Sequence, residues 1–219
     1  MPTLSNHGWL LFPTQLPSAQ LDALRDTAFT AGAAGTRCLL DLPVVRDAAH
    51  ALRTELTAAG HLPPDATAIQ AIAFDKTPGA NWKVTWHQDV MFPFARPVTT
   101  PGYDLPSVKD GIDYARPPRA VLENLLAVRL HLDDCDEHNG PLRVSPGSHL
   151  VGISRAAEIP ARLALHGEHT CLALRGEALL MKPLTLHASS PATSPAHRRV
   201  LHVVFHTGPA LPEPWHRSV

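Results

Sequence analysis

The chain has 219 residues, 44% of them hydrophobic and 18% charged, with 19 Lys and Arg against 20 Asp and Glu and a formal net charge of -1. That length fits one large domain, and the charge balance excludes the basic excess that nucleic acid or an anionic membrane surface requires. No window approaches the ~20 apolar residues of a membrane span, and the opening Met1-Pro2-Thr3-Leu4-Ser5-Asn6 lacks the basic region of a signal peptide, so a cytoplasmic location is expected.

Cys38, Cys135 and Cys171 lie far apart and form no C-x-x-C pair, which excludes a disulfide framework or a zinc knuckle. Two counts are unusual: 22 prolines and 14 histidines. So much histidine invites metal chemistry and also produces accidental motifs.

Residues 1–62 read as a helical scaffold. One helix begins with Ser18 as N-cap, carries Leu21, Leu24 and Ala28 at helical spacing, and ends near Gly32. A second is capped by Asp41, holds Pro43 in its first turn, buries Val45, Ala49, Leu52 and Leu56 on one face, and stops at Gly60. From Thr67 the period becomes that of strands, with Thr67 to Phe74, a turn at Thr77-Pro78-Gly79, and Trp82 to His87.

Residues 91–119 carry Pro93, Pro97, Pro101, Pro106, Pro117 and Pro118, too many for regular structure in a segment too long for an ordinary connection. A lid loop anchored by Phe92, Phe94, Tyr103 and Tyr114 is expected, with a disordered linker between two domains as the alternative. A short helix from Val121 to Leu126 then leads into strands at 127–132, 142–145, 170–174, 178–181, 184–187 and 198–206. Turn signals at Asn139-Gly140, Pro146-Gly147, Arg175-Gly176 and between Pro191 and Pro195 separate them. Short strands without βαβ alternation point to an antiparallel sandwich or jelly roll, with 63–90 and 120–206 as the core of one domain spanning 1–219.

Non-haem Fe(II) is held by two histidines and one carboxylate on one face of the ion. Two of the three often come as His-x-Asp, because residues i and i+2 of a strand point the same way. Chance alone predicts about one such pair here, and the chain has three: His87/Asp89, His131/Asp133 and His166/Glu168. The last falls in a surface turn, and the second runs into the acidic stretch Asp133-Asp134-Cys135-Asp136-Glu137. Spacing leaves the first two pairs open. His187 and the Arg198-Arg199 pair offer a third ligand and a carboxylate anchor, since the Arg fork binds carboxylates bidentately. Strand alternation lets only one of the two arginines point inward, and His187 alone also reads as a partly buried strand-end histidine.

The chain resembles the phytanoyl-CoA dioxygenase-like (PhyH) branch of Fe(II)/2-oxoglutarate-dependent oxygenases from about Phe74 onward. The resemblance is carried by Asn81-Trp82-Lys83-Val84-Thr85-Trp86-His87-Gln88-Asp89, by Leu130-His131-Leu132-Asp133-Asp134, by Asn139-Gly140-Pro141-Leu142-Arg143-Val144-Ser145-Pro146-Gly147-Ser148-His149, and by His187 with Arg198. It implies a mainly β fold with flanking helices: a double-stranded β-helix, or cupin-like jelly roll. It implies His87, Asp89 and His187 as iron ligands and Arg198, rather than Arg199, as the 2-oxoglutarate anchor, with Ser189 a further candidate to touch that co-substrate. The Asn139 to His149 string looks like a structural turn, which leaves His149 outside the site.

Arg129 and His131 share a strand face that either lines the cavity or packs, and Phe92 and Phe94 are expected to shape the substrate pocket. Fe(II), 2-oxoglutarate and O2 are the implied cofactors, and the implied partner is a small-molecule substrate, with neither nucleic acid nor membrane and with oligomeric state open. Relatives that halogenate replace the carboxylate ligand with a small residue, so Asp89 favours hydroxylation or desaturation. Within the lid Arg96, Lys109, Arg116 and Arg119 nearly balance Asp104, Asp110 and Asp113. A small metabolite or natural-product intermediate is therefore expected ahead of a CoA- or carrier-bound acyl group. The competing readings are a non-catalytic metal- or ligand-binding jelly roll, which would not need the anchor, and a zinc hydrolase, for which no general base is evident.

Overall fold

A computed structural model describes residues 1–30, 32, 33 and 35–219 of the chain. In chain order, β1 (Trp9–Pro13) precedes α1 (Ser18–Thr27), β2 (Gly35–Thr36) and α2 (Pro43–Ala58). Next come β3 (Thr67–Lys76), β4 (Val84–His87), β5 (Phe92–Phe94), β6 (Asp104–Lys109), β7 (Ile112–Arg116) and the short α3 (Arg119–Glu123). The remainder holds β8 (Leu125–His131), β9 (Leu142–Val144), α4 (Ile159–His166), β10 (His169–Cys171), β11 (Glu177–Met181), β12 (His187–Ser189) and β13 (Arg198–His206).

These strands form three antiparallel sheets, ordered β1-β11-β8-β13-β3-β2, β10-β9-β12-β4 and β5-β7-β6. The first two face each other as the walls of a jelly roll, the double-stranded β-helix form, without closing into a barrel. Period-two alternation decides what each wall buries. Leu201, Val203 and Phe205 of β13, with Leu126, Val128 and Leu130 of β8, pack beneath α1 and α2 in one apolar cluster. The opposite face of β13, carrying Arg198 and His202, looks between the sheets. One end of that interior is filled by Trp9, Leu142, Val144, Leu179 and Met181, the other by Phe92, Phe94, Leu122, Leu125, Val204 and Trp215. A cavity remains between them.

Several elements differ from the sequence expectation. The first 62 residues are not helical throughout, because β1 adds to the edge of the large sheet with Trp9 opposite Met181. Ser18 is the first residue of α1 and makes no side-chain cap, Pro17 holds the cap position, and the helix ends at Thr27 rather than near Gly32. Leu42, not Asp41, caps α2; Asp41 instead accepts from Arg217 Nε at 2.6 Å. The expected apolar stripe of α2 stands, with Val45, Ala49, Leu52 and Leu56 buried. The last expected strand before the third ligand begins at His187, not Leu184, and α4 has no counterpart in the expectation.

The segment 91–119 contains a three-stranded sheet despite its prolines. Pro93 lies in β5 and Pro106 in β6, the two edge strands of the small sheet, while the central β7 has none. An edge position needs no inward N–H on its open side. Asp110 and Gly111, with φ of 53° and 76°, make the tight turn between Lys109 and Ile112, as an Asp-Gly pair does in hairpins.

Gly140 has φ of 74°, and a Cβ there would stand 2.7 Å from the Ser190 carbonyl oxygen and 3.1 Å from Lys76 Nζ. Gly140→Ala is expected to cost at least about 1–2 kcal/mol from backbone handedness alone, read by calorimetry as a Tm several degrees lower.

Candidate metal centre

Strands β4 and β12 are ladder neighbours, and their register sets His187 opposite His87. The ring centroids are 4.2 Å apart. His87 Nδ1 lies 2.8 Å from the Thr85 carbonyl and His187 Nδ1 2.9 Å from the Thr185 carbonyl. A carbonyl only accepts, so each Nδ1 carries the hydrogen and each Nε2 keeps its lone pair free. Asp89, two positions beyond His87, reaches both: Oδ1 lies 3.6 Å from His87 Nε2 and Oδ2 lies 3.6 Å from His187 Nε2. The three residues can present ligand atoms all within 4.8 Å of one another.

Gln88 holds the bend between the two ligands. Its Nε2 donates to the Leu184 and Gly152 carbonyls at 2.6 and 2.9 Å, and its Oε1 accepts from Ser154 N at 2.8 Å. The Asp89 amide donates to the Pro183 carbonyl at 3.0 Å. Both ligand-bearing segments are thereby tied to the same turn.

Burial pushes the His187 imidazole down to about 4, against the pull of Asp89. Burial likewise opposes charge on Asp89, but His187, His87 and His202 hold its carboxyl well below the usual range. For His87, burial is outweighed by the Asp89 hydrogen bond and charge, and its pKa is raised. Two imidazoles with free Nε2 atoms and one ionised carboxylate are the donors that Fe(II) takes on one face. The donor set fits that ion.

The centre opens on a cavity of about 370 Å³ between the two sheets. Arg198 enters it from β13, with side chain buried, Nη1 donating to the Gly140 carbonyl and Nε without a partner. Arg199 points the other way and clamps Asp133, with Nε to Oδ2 at 2.8 Å and Nη2 to Oδ1 at 3.0 Å. That clamp also engages the carboxylate of the His131/Asp133 pair. β8 ends at His131, Asp133 turns outward, and the His131 ring is buried in the wall, its pKa pushed down to about 3 by burial. Glu168 is likewise engaged, accepting from Arg143 at 2.9 Å.

Ser189 and Arg129 line the cavity, whereas His131 does not. Phe92 lines it too, but Phe94 stacks on Trp215 at 4.9 Å outside it. His149 lies apart, its Nε2 3.2 Å from the Ser5 carbonyl. One polar residue of the cavity wall and one buried beside it were not singled out in the sequence. His202 shares the inward face of β13 with Arg198, and continuing the alternation from Arg198 reaches it. Lys76 sits opposite Arg198 in the ladder, fully buried, and donates to Ser189 Oγ at 3.1 Å and to the Ser190 carbonyl. Burial lowers its pKa to about 8. No local signal marks it, because its role comes from pairing between distant strands.

The family model described as Phytanoyl-CoA dioxygenase (PhyH) matches residues 22–200. No curated protein matches the sequence. Among solved structures, EctD from S. alaskensis with bound Fe is similar at 17% identity over 97% of this chain and 77% of its own, with a TM-score of 0.69. AviO1 from Streptomyces viridochromogenes Tue57 shares 20% identity over 96% and 95% of the two chains, with a TM-score of 0.65. HygX from Streptomyces hygroscopicus with nickel and 2-oxoglutarate bound shares 15% over 93% and 84%, with a TM-score of 0.61. At these identities the likeness is one of fold. Among the described residues no helix is long and apolar enough to cross a membrane.

Mn(II), a redox-stable stand-in, is expected to stabilise the wild type by about 2.7 kcal/mol at a hundred times its Kd. His187→Ala should weaken metal binding by about 100-fold or more and lose that stabilisation, while His131→Gln keeps it. Thermal denaturation with and without Mn(II) checks both.

Proposed function

Because the chain belongs to the phytanoyl-CoA dioxygenase (PhyH) family, we propose that it is a non-haem Fe(II)/2-oxoglutarate-dependent dioxygenase that hydroxylates a small metabolite or natural-product intermediate. Substrate, O2 and 2-oxoglutarate would become hydroxylated product, succinate and CO2. The observation that carries this reading is one cavity holding both the convergent His87, Asp89 and His187 and a buried Arg198 whose Nε has no partner.

Bound iron and co-substrate supply the oxidising chemistry, and the chain supplies binding, orientation and exclusion of water. His87, Asp89 and His187 would hold the ion at the cavity wall. Arg198 takes the distal carboxylate of 2-oxoglutarate with its planar fork. Ser189, whose hydroxyl accepts from Lys76, lines the same cavity and would offer that carboxylate a hydroxyl. Phe74, Val84, Met91 and Phe92 give the cavity apolar walls, which keep water from the reacting centre. Arg37 and Lys109, with Tyr114, stand among its lining residues, where the β5-β7-β6 sheet and the segment before α2 meet the substrate. All these elements serve a single site, which supports one domain over residues 1–219.

Structural neighbours are described as a carbocyclase, an epimerase and a monooxygenase, so the outcome at the substrate carbon depends on what this cavity holds beside the metal. Asp89 in the carboxylate position supports hydroxylation over halogenation. A CoA- or carrier-bound acyl substrate is the second reading. The cavity volume of about 370 Å³ weighs against it, and of the two basic residues at the rim, Arg37 is already paired with Asp110.

Succinate formation from 2-oxoglutarate in air, with Fe(II) and ascorbate, tests the class. It is expected in the wild type and lost in His87→Ala; equal turnover in that variant overturns the assignment. Arg198→Lys keeps the charge but loses the fork, and is expected to weaken 2-oxoglutarate roughly tenfold with Mn(II) binding intact. Arg199→Lys should leave both unchanged. Calorimetric titration of the Mn(II)-loaded protein measures these affinities.

A further inference from the structure

The cavity holds a second guanidinium, and the function proposed above gives it no partner. Arg129 projects inward from β8, 8% exposed, opposite His202 of β13. Its Nη1 donates to His202 Nδ1 at 3.2 Å, its Cζ stands 5.6 Å from the Phe74 ring centroid, and its Nε is buried with no partner. Burial and Arg129 together push His202 down to about 3, so the ring stays neutral and fixes the guanidinium as an acceptor.

Among the described residues no carboxylate forms an ion pair with Arg129 or Arg198. Two enclosed cations with no carboxylate in direct contact are costly unless a ligand supplies the anions. Burial and Arg198 lower the Arg129 pKa only to about 10, so it is charged at neutral pH. Arg129 and Arg198 line the same cavity as His87, Asp89 and His187, and the ladder partner of Arg129, His202, lies four residues along β13 from Arg198, so the two guanidiniums enter the cavity at separate points.

Building on the oxygenase reading, we propose that Arg129 is a second anchor for the 2-oxoglutarate dianion, binding the carboxylate next to the oxo group while Arg198 binds the distal one. A ligand with a negative charge at each end answers both orphaned guanidiniums at once. A mono-anion answers only one.

The test uses Mn(II)-loaded protein and calorimetric titration with 2-oxoglutarate and with 2-oxobutyrate, which has the same oxo-acid end and no distal carboxylate. Arg129→Gln is expected to weaken both acids by a similar factor, about tenfold or more, whereas Arg198→Lys weakens 2-oxoglutarate and leaves 2-oxobutyrate within about twofold. Mn(II) stabilisation of each variant reports that the centre is folded. Arg129→Lys, which keeps the buried charge and loses the fork, is the companion variant, with a smaller loss for both acids. Unchanged affinities in Arg129→Gln overturn the proposal, as does a loss confined to 2-oxoglutarate, which would place Arg129 on the distal carboxylate. If the wild type binds neither acid, the oxygenase reading falls and takes this inference with it.

Discussion

The antiparallel pairing of β4 with β12 brings His87 face to face with His187, and the rest of the centre is arranged around that single cross-strand contact. Opposed residues in a ladder share a face and approach closely. A register slip of one residue would turn an imidazole to the far side of the sheet. The structure guards against it with contacts that do not depend on any ion: the two Nδ1–H groups on backbone carbonyls, the three hydrogen bonds of Gln88, and the Asp89 amide on Pro183. The three side chains are thus held without any ion, which would lower the ordering cost of binding one.

Across the cavity the chemistry inverts. The four-stranded wall offers two imidazoles and a carboxylate, while the large-sheet wall carries Arg129 and Arg198, with Lys76 behind them. Such a wall is unfavourable when empty and favourable when filled by anions, so stability and ligand affinity are coupled through the same side chains. Gly140 belongs to this arrangement. Its carbonyl accepts from Arg198, and only a residue without Cβ lets that turn approach Ser190 and Lys76 so closely.

The jelly roll and the α2 stripe were legible because each is encoded locally, in period two and period 3.6, whereas spacing left His87/Asp89 and His131/Asp133 open and only the family resemblance singled out His87, Asp89 and His187. The choice between Arg198 and Arg199 was open in the residues, since alternation says only that they diverge. In the structure Arg198 enters the cavity and Asp133 holds Arg199 outside it. Lys76 and His202 went unread for different reasons. Lys76 acquires its role from a strand pairing across more than a hundred residues, whereas His202 lies on an alternation that was available but not followed. The 91–119 segment misled because prolines were counted rather than placed. Pro93 and Pro106 sit where a ladder bond is dispensable, and the Asp110-Gly111 pair was the hairpin signal among them.

Those placed prolines also bear on how the protein behaves among other chains. A three-stranded sheet beside an open cavity, carrying Leu105 and Val108 exposed on one edge strand, would ordinarily invite a neighbouring polypeptide to add itself as a fourth strand. Pro106 removes an N–H from that edge, the irregular register between Asp104 and Ser107 breaks its line, and Trp215 occupies the opposite edge through a bridge to Phe94. The composition that looks like disorder in the sequence instead works against self-association, keeping the entrance to the cavity clear of the aggregation that a flatter hairpin would seed.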